Sequence, residues 1–489
     1  MSGKENITTA RYDAATSYPR TALQADIVHI GFGAFHRGHQ AVYSDLTNQV
    51  SEKPWGIFEI NLFGTKDLVN ALNNQDGLFS VLETSSSANT SRLVRSVIGG
   101  LHTPDSGIEA ALEKLLEPQV KIVSLTITEK GYCIDPQTRT LDFANPLIIK
   151  DLDNPQRPAS AIALIVCALQ RRKDLGLSPF SVLSCDNIPD NGHLTRNAVI
   201  GFATRLDSEL GEWIEENVTF PGTMVDRIVP AMTEPQFMML QEKIGYADPC
   251  GIVCEDFRQW VIEDNFVSGR PDWDKAGAMF VADVRPYEEM KLRMLNGSHS
   301  FLAYNGSLAG YEFIYQCMED PQFRAATRFL MINEQAQTLD PQLNIPLENY
   351  ADLLLERFSN RNVKHRTAQI AMDGSQKLPQ RALTPWIILH QQNKNPRALS
   401  ILVAGWLHYV IKNIGDKQNI SDPLLPLFIE AISGQHPAWQ QALSLLKIES
   451  IFGELNNDPD FVEEIKNAFT RIDSLGIEET IAHLLSGKI

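Results

Sequence analysis

Apolar positions in the first half of the chain come in short runs separated by polar, glycine-bearing turns. Ala25-Asp-Ile-Val-His-Ile30 is a β-branched run that stops at Gly31-Phe-Gly33, and the polar stretch behind it, to residue 47, suits a helix. Residues 55–60 predict a second strand and 64–72 a turn and helix. A helix over 107–116 leads into 120–127, apolar almost throughout, as expected of a strand covered on both faces. A helix at 160–172, a strand at 180–185, a helix at 194–205 and a short strand at 222–225 follow. Strands alternating with helices predict an α/β domain of Rossmann type, with a mostly parallel sheet and crossovers on both faces.

After about residue 285 the period changes. Residues 346–358 carry apolar side chains at helical spacing, and Leu399 opens a very apolar helix that Gly415 ends. Asp422-Pro423 and Asp458-Pro459 each offer an N-cap followed by proline at the first helical position. The second half therefore reads as mostly α-helical. The boundary falls within 270–295 and is placed at 285/286, giving an N-terminal arm (1–24), a Rossmann-type domain (25–285) and a helical domain (286–489).

Composition narrows the class. The chain has 489 residues, 43% hydrophobic and 21% charged, and its 43 Lys and Arg against 60 Asp and Glu leave a net charge of −17. That field repels phosphate backbones and anionic membranes, so neither nucleic acid nor membrane is an expected partner. An anionic ligand would need a local cluster of cations. Six scattered cysteines without disulfide spacing, no apolar leader and no apolar run near twenty residues point to the cytoplasm.

Candidate chemistry begins at Gly31-Phe-Gly-Ala-Phe-His36-Arg37-Gly38. Glycines after a strand and before a helix let the backbone approach a dinucleotide pyrophosphate, and Arg37 is a cation beside that turn. The third glycine of the usual fingerprint is His36 here, and a tight turn alone would also need Gly-x-Gly. Glu59 and Asp67 are the acids near the distance expected for a ribose contact, and either would favour NAD. His36 and His39 lack a nearby carboxylate or thiol, and Cys250 and Cys254 lack a second ligand pair, so no metal site is expected.

Polar residues also collect at predicted strand ends: Thr128-Glu129-Lys130, Asp186-Asn187 and Asp226-Arg227. Each suits a loop cap; together they suggest a site. In Lys291-Leu-Arg-Met-Leu-Asn296-Gly-Ser-His299, α-helical spacing would put Lys291, Asn296 and His299 within an arc of about 140°. Alcohol oxidation without zinc needs a base for the hydroxyl proton and donors for the developing alkoxide, which a desolvated lysine and an amide supply. Tyr287-x3-Lys291 matches the spacing of short-chain dehydrogenases, but those are single compact domains with a different glycine pattern.

Taken together, Gly31–Gln40, Ser124-Leu-Thr-Ile-Thr-Glu-Lys-Gly131, Ser184-Cys-Asp-Asn187, Met224-Val-Asp-Arg-Ile-Val-Pro230 and Lys291-x4-Asn296-x2-His299 resemble the mannitol dehydrogenase family of polyol-specific long-chain dehydrogenases. Trp260-Val-Ile-Glu-Asp-Asn-Phe266, Gly269-Arg-Pro-Asp-Trp273, His365-Arg366 and Asp373-Gly-Ser-Gln-Lys-Leu-Pro-Gln-Arg381 resemble its D-mannonate/D-fructuronate branch. The likeness runs from about residue 25 to 485. It implies a zinc-independent, NAD-dependent enzyme with its site between the two domains. By the same resemblance Lys291 is the general base, Asn187 and Asn296 hold the substrate oxygen, and His299 orients the substrate. Asp226 and Glu129 are substrate-binding residues by that resemblance, Asp226 in contact with the substrate or just behind it and Glu129 near enough to help proton exit. Coenzyme would lie against Ile30, Gly31, Phe32, Gly33, Ala34, Phe35, Arg37 and Asp67, although Gly64-Thr-Lys-Asp67 departs from the family's pattern. A sugar-acid carboxylate needs a cationic anchor, for which Arg366, Lys377 and Arg381 are the candidates. The expected partner is a small sugar acid, and the expected state a monomer or weak homo-oligomer. A neutral-polyol or tagaturonate enzyme and a non-catalytic dinucleotide sensor are the alternatives.

Overall fold

The computed structural model describes residues 6–64, 66–85, 88–135, 137–417, 420–434 and 437–488, and Thr65 of the Gly64–Asp67 stretch lies outside them. The chain divides into two compact units, Met1–Arg285 and Pro286–Ile489.

The described strands of the first unit are β1 (Ala14–Ala15), β2 (Ala25–Ile30), β3 (Gly56–Asn61), β4 (Phe79–Thr84), β5 (Asn89–Val94), β6 (Val97–His102), β7 (Ile122–Leu125), β8 (Ser181–Ser184), β9 (Thr223–Asp226), β10 (Ile252–Glu255), β11 (Gln259–Glu263) and β12 (Met279–Val281). Five form an all-parallel sheet in the order β6-β3-β2-β7-β8. Its centre is β2, where Val28 is in register with Phe58 on one side and Val123 on the other. The chain leaves β2 in one direction and returns through β7 on its other side, so a crevice opens at the carboxyl ends of these two strands. Helices Ile108–Leu115, Ala161–Asp174 and Asn191–Leu206 cover one face, burying Leu112, Ile165 and Phe202 with Val123 and Val182.

A second sheet, β1-β5-β4-β10, and a third, β12-β11-β9, complete the unit. Described residues of the expected N-terminal arm are bonded into it. Ala14 pairs with Arg92, and Tyr18 and Thr16 donate hydroxyl hydrogen bonds to the buried Asp45 carboxylate at 2.8 and 3.0 Å. The helix expected from residue 34 onward breaks at His39 (φ −126°, ψ −89°) into Ala34–Gly38 and Gln40–Val50. His39 is held there by the Gln259 carbonyl at 3.0 Å and by packing against Phe35, Tyr43 and Trp260.

The second unit is helical, and its described residues carry no named strand. Arg397–Gly415 runs through its core, most of its residues buried, beside Pro459–Leu475. At 19 residues this helix is long and apolar enough to cross a membrane; its burial within the unit's core accounts for the composition. Asp458 caps its helix as expected, accepting from the Asp460 and Phe461 N–H groups. Asp422 stands further from its helix, which begins at Leu425: its carboxylate accepts from the Leu424 N–H at 2.9 Å and also from the Ser375 N–H and hydroxyl at 2.8 and 2.6 Å.

Candidate active-site residues

Gly31 has φ +110°, and a Cβ there would meet the Thr126 carbonyl oxygen at 2.1 Å, so only glycine lets β2 turn against the end of β7. Gly33 faces open space, with nothing nearer to a Cβ than the Gly31 oxygen at 3.8 Å. The Phe32 N–H donates to Asn61 Oδ1 at 2.8 Å, tying the turn to the end of β3. Beside it lies a cavity of about 380 Å³ lined by Ile30 and Gly31, Asn61 to Phe63, Thr126 to Thr128, and Ser160. It occupies the crevice where the strand order reverses, and its volume is within the range of small-molecule sites. A dinucleotide's close backbone approach fits this turn and cavity.

The residues named for coenzyme contact separate here. Ile30 and Gly31 line the cavity, Gly33 is exposed, and Ala34 and Phe35 are half-buried in the first helical turn. Phe32 is buried in the core. Arg37 does not face the turn's outer side: its guanidinium lies inside the fold, donating to the Cys250 carbonyl at 2.6 Å and the Gly33 carbonyl at 3.2 Å. Its reading as a phosphate cation is corrected accordingly. Asp67 is exposed in the first turn of helix Asp67–Asn74.

Glu59, the other candidate ribose acid, is fully buried and 2.8 Å from His36 Nε2. Burial pushes the Glu59 carboxyl up and the His36 imidazole down, so the two meet as a neutral pair joined by one hydrogen bond. His36 in turn stacks on His29 at 3.5 Å, and His29 bridges Ser124 Oγ and Thr126 Oγ1 at 2.8 and 2.9 Å. The histidine in place of the third glycine is thus part of a buried network beneath the turn. Among the described residues, His29, His36 and Glu59 form the one cluster with metal-ligand types in reach of each other. Two imidazoles stacked 16° from parallel direct their in-plane lone pairs side by side, a poor geometry for a common ion.

The other strand ends carry the remaining candidates of this unit. Glu129 is exposed on the single turn Thr128–Gly131 after β7, Asn187 is exposed after β8, and Asp226 is buried at the end of β9. β9 is seated beside β8 by the Thr223 hydroxyl, which donates to the Ser184 carbonyl at 2.6 Å, and by the Asn191 amide. Arg227 is structural: it donates to Glu83 Oε1 at 2.6 Å and to the Gly38 and Glu255 carbonyls.

In the second unit, Lys291 opens a seven-residue π-helix, Lys291–Gly297, in place of the α-helix assumed from spacing. An i→i+5 ladder brings positions five apart closer to one face than α-helical winding does, so Asn296 approaches the azimuth of Lys291. Lys291 is only 7% exposed, and Asn296 and His299 are half-buried. Two further π segments, Leu330–Gln335 and Pro379–Leu383, meet this one. Their junction is Gly297, where a Cβ would lie 2.5 Å from Gln335 Nε2 and 3.0 Å from the Arg381 carbonyl oxygen. Arg381 then donates to the Asn296 carbonyl at 3.2 Å and to Ser300 Oγ at 3.1 Å.

Burial, followed by the positive fields of His365, Arg381, Arg357 and Lys377, holds His299 well below the ordinary histidine pKa, so its imidazole is neutral. The ring lies 4.3 Å from Phe358 and 5.8 Å from His365, centroid to centroid. Lys377 is half-buried, its ammonium donating to the Ile370 and Met372 carbonyls at 3.1 and 2.5 Å. Arg366 is not part of this group. Its side chain is 63% exposed, pairs with Glu312 at 3.2 Å and lies over Phe313, which does not suit a desolvated carboxylate anchor. Arg357 was missed in the sequence because it sits more than fifty residues from His299 inside an ordinary amphipathic helix, Leu347–Phe358.

A parallel sheet with a glycine turn and cavity at its switch point, followed in the same chain by a helical unit, is a Rossmann dehydrogenase fold. The mannitol dehydrogenase Rossmann domain matches residues 25–275, and the mannitol dehydrogenase C-terminal domain matches 283–473. The chain belongs to the mannitol dehydrogenase family and is an oxidoreductase. It is 49% identical to the uncharacterized oxidoreductase YeiQ of Escherichia coli (98% of this chain, 99% of that one) and 48% identical to the D-mannonate oxidoreductase of the same organism (96% and 98%). The structure of Pseudomonas fluorescens mannitol 2-dehydrogenase, a ternary complex with NAD and D-mannitol, superposes with a TM-score of 0.80 at 36% identity, covering 99% of each chain.

Proposed function

We propose that this chain is an NAD-dependent oxidoreductase that interconverts D-mannonate and D-fructuronate, with Lys291 as general acid/base. The observation that carries the choice of a sugar acid over a neutral polyol is the cation group around His299. Arg357, Lys377 and Arg381 set positive charge about one neutral imidazole in a protein of net charge −17. Guanidinium and ammonium groups that are partly desolvated bind a carboxylate strongly. The likeness to D-mannonate oxidoreductase points the same way.

The nicotinamide coenzyme supplies a hydride acceptor for oxidation and a donor for reduction. The protein's part is to move the proton and hold the oxygen. In oxidation a neutral Lys291 takes the hydroxyl proton while the Asn187 and Asn296 amides donate to the developing alkoxide. In reduction the protonated Lys291 returns it. Neutral His299 can accept or donate one hydrogen bond to a substrate hydroxyl, and the cations hold the carboxylate end. Asp226 and Glu129 are proposed as flanking residues, Glu129 taking part in proton exchange with solvent.

The test is NADH oxidation with D-fructuronate, D-tagaturonate and D-fructose side by side. Turnover confined to fructuronate supports the proposal. Equal rates with fructose favour the neutral-polyol reading, and coenzyme binding without turnover on any of them favours a sensor.

A further inference from the structure

We infer that Asp186 is a positioning residue that fixes the wall of the dinucleotide cavity and the neighbouring Asn187 as one unit. The inference rests on the proposed coenzyme and substrate roles of those two places. The end of β7 is strained: Thr128, a β-branched residue, has φ +62°, a left-handed conformation that L side chains other than Asn and Asp rarely adopt. What holds it is the carboxylate of Asp186 across from it. Oδ2 accepts from the Ile127 N–H at 2.9 Å and Oδ1 from the Thr128 N–H at 3.0 Å. The Tyr132 hydroxyl, buried at the far end of the same turn, donates to Oδ2 at 2.7 Å and lies 2.6 Å from Ser184 Oγ.

Both residues so gripped, Ile127 and Thr128, line the cavity; next to them in its wall is Thr126, whose hydroxyl donates to the Gly31 carbonyl at 2.8 Å. The backbone of Asp186 is fixed just as firmly from the other side. Its carbonyl accepts from the Ile188 N–H at 2.9 Å and from the Asn191 amide at 3.1 Å, and that amide also reaches β9 at Thr223. Asn187 is therefore the exposed corner of a braced loop. One carboxylate sets where the coenzyme wall stands and where the oxygen-holding amide begins. A neutral amide cannot reproduce this, because its NH₂ would face one of the two backbone N–H groups.

The experiment is fluorescence titration of NADH, with steady-state kinetics, on the parent, Asp186→Asn, Tyr132→Phe and Asn187→Ala. We expect Asp186→Asn to raise the NADH Kd about tenfold and to lower kcat, and Tyr132→Phe to raise the Kd a few-fold. Asn187→Ala should lower kcat with the NADH Kd unmoved, separating the amide from its support. An Asp186→Asn protein that is folded and binds NADH like the parent overturns the inference. Should that variant fail to fold, Tyr132→Phe decides: an unchanged Kd overturns it. A parent that binds no NADH overturns the coenzyme reading and the inference together, whereas parent binding with unmoved variants overturns the inference alone.

Discussion

Lys291 is the side chain on which turnover should depend most steeply. Replacement by Ala is expected to lower kcat by about 10²–10⁴, the usual worth of a positioned acid/base, while NADH binding is retained. Because oxidation needs the neutral amine and reduction the ammonium, the oxidative rate should rise and the reductive rate fall over one pH interval. Identical profiles in both directions, with hydride transfer rate-limiting, would contradict the assignment. Lys377→Met keeps the apolar stem and removes the charge, so loss of a charge-assisted contact of about 1.5–3 kcal/mol should raise KM for the sugar acid about 10–100-fold and leave KM for NADH unchanged. Glu59 gives a stability test. Its carboxyl pKa is raised by burial, so between its ordinary value and the raised one the folded state binds the extra proton, and stability falls as pH rises. His29, His36 and His39 are depressed by burial and act on the acid side, since there the unfolded chain takes the proton. Above neutral pH only Glu59 among these four remains. Glu59→Gln, which keeps a hydrogen-bonding group beside His36, should therefore flatten the decline in urea-melt stability between neutral pH and about 8; an unchanged slope would contradict the neutral pair.

At the scale of elements, Gly297 is the junction of three π segments. Gly297→Ala should cost about 1–3 kcal/mol, as overpacking does, measurable by denaturant melt, and should lower kcat by moving Asn296 relative to Lys291. The parallel core was legible because β2, β7 and β8 are fully buried and carry apolar, mostly β-branched residues around a few small or paired polar ones, Asp26, His29, Ser124, Ser181 and Ser184. Strands β4 and β5 were not singled out: buried Ser80, Glu83, Thr84 and Ser91 break their apolar pattern, and their partners, Asp248, Arg227, Asp13 and the Cys254 carbonyl, are far away in sequence. The site divides the same way. The glycine turn and the Lys291 to His299 spacing could be read locally. That Glu59 pairs with His36, that Arg37 turns inward and Arg366 outward, and that Arg357 stands near His299 all depend on contacts over distances no local pattern encodes. The π-helix leaves no mark in the sequence, since i→i+4 and i→i+5 bonding use the same residue types.

For the whole molecule, the tension is between a net charge of −17 and the anionic substrate we propose. A long-range field of that sign disfavours approach of a sugar acid, so recognition has to be local, and the second unit concentrates cations about His299. The first unit carries the glycine turn and the cavity proposed for the coenzyme, with Asn187 and Asp226 at its strand ends. The most direct measurement is NADH oxidation by the full chain with D-fructuronate against D-fructose, parent beside Lys377→Met. The account predicts turnover of fructuronate far above fructose, with the preference shrinking in the variant. Fructose turned over as well as fructuronate, or a preference that the variant leaves intact, would contradict it.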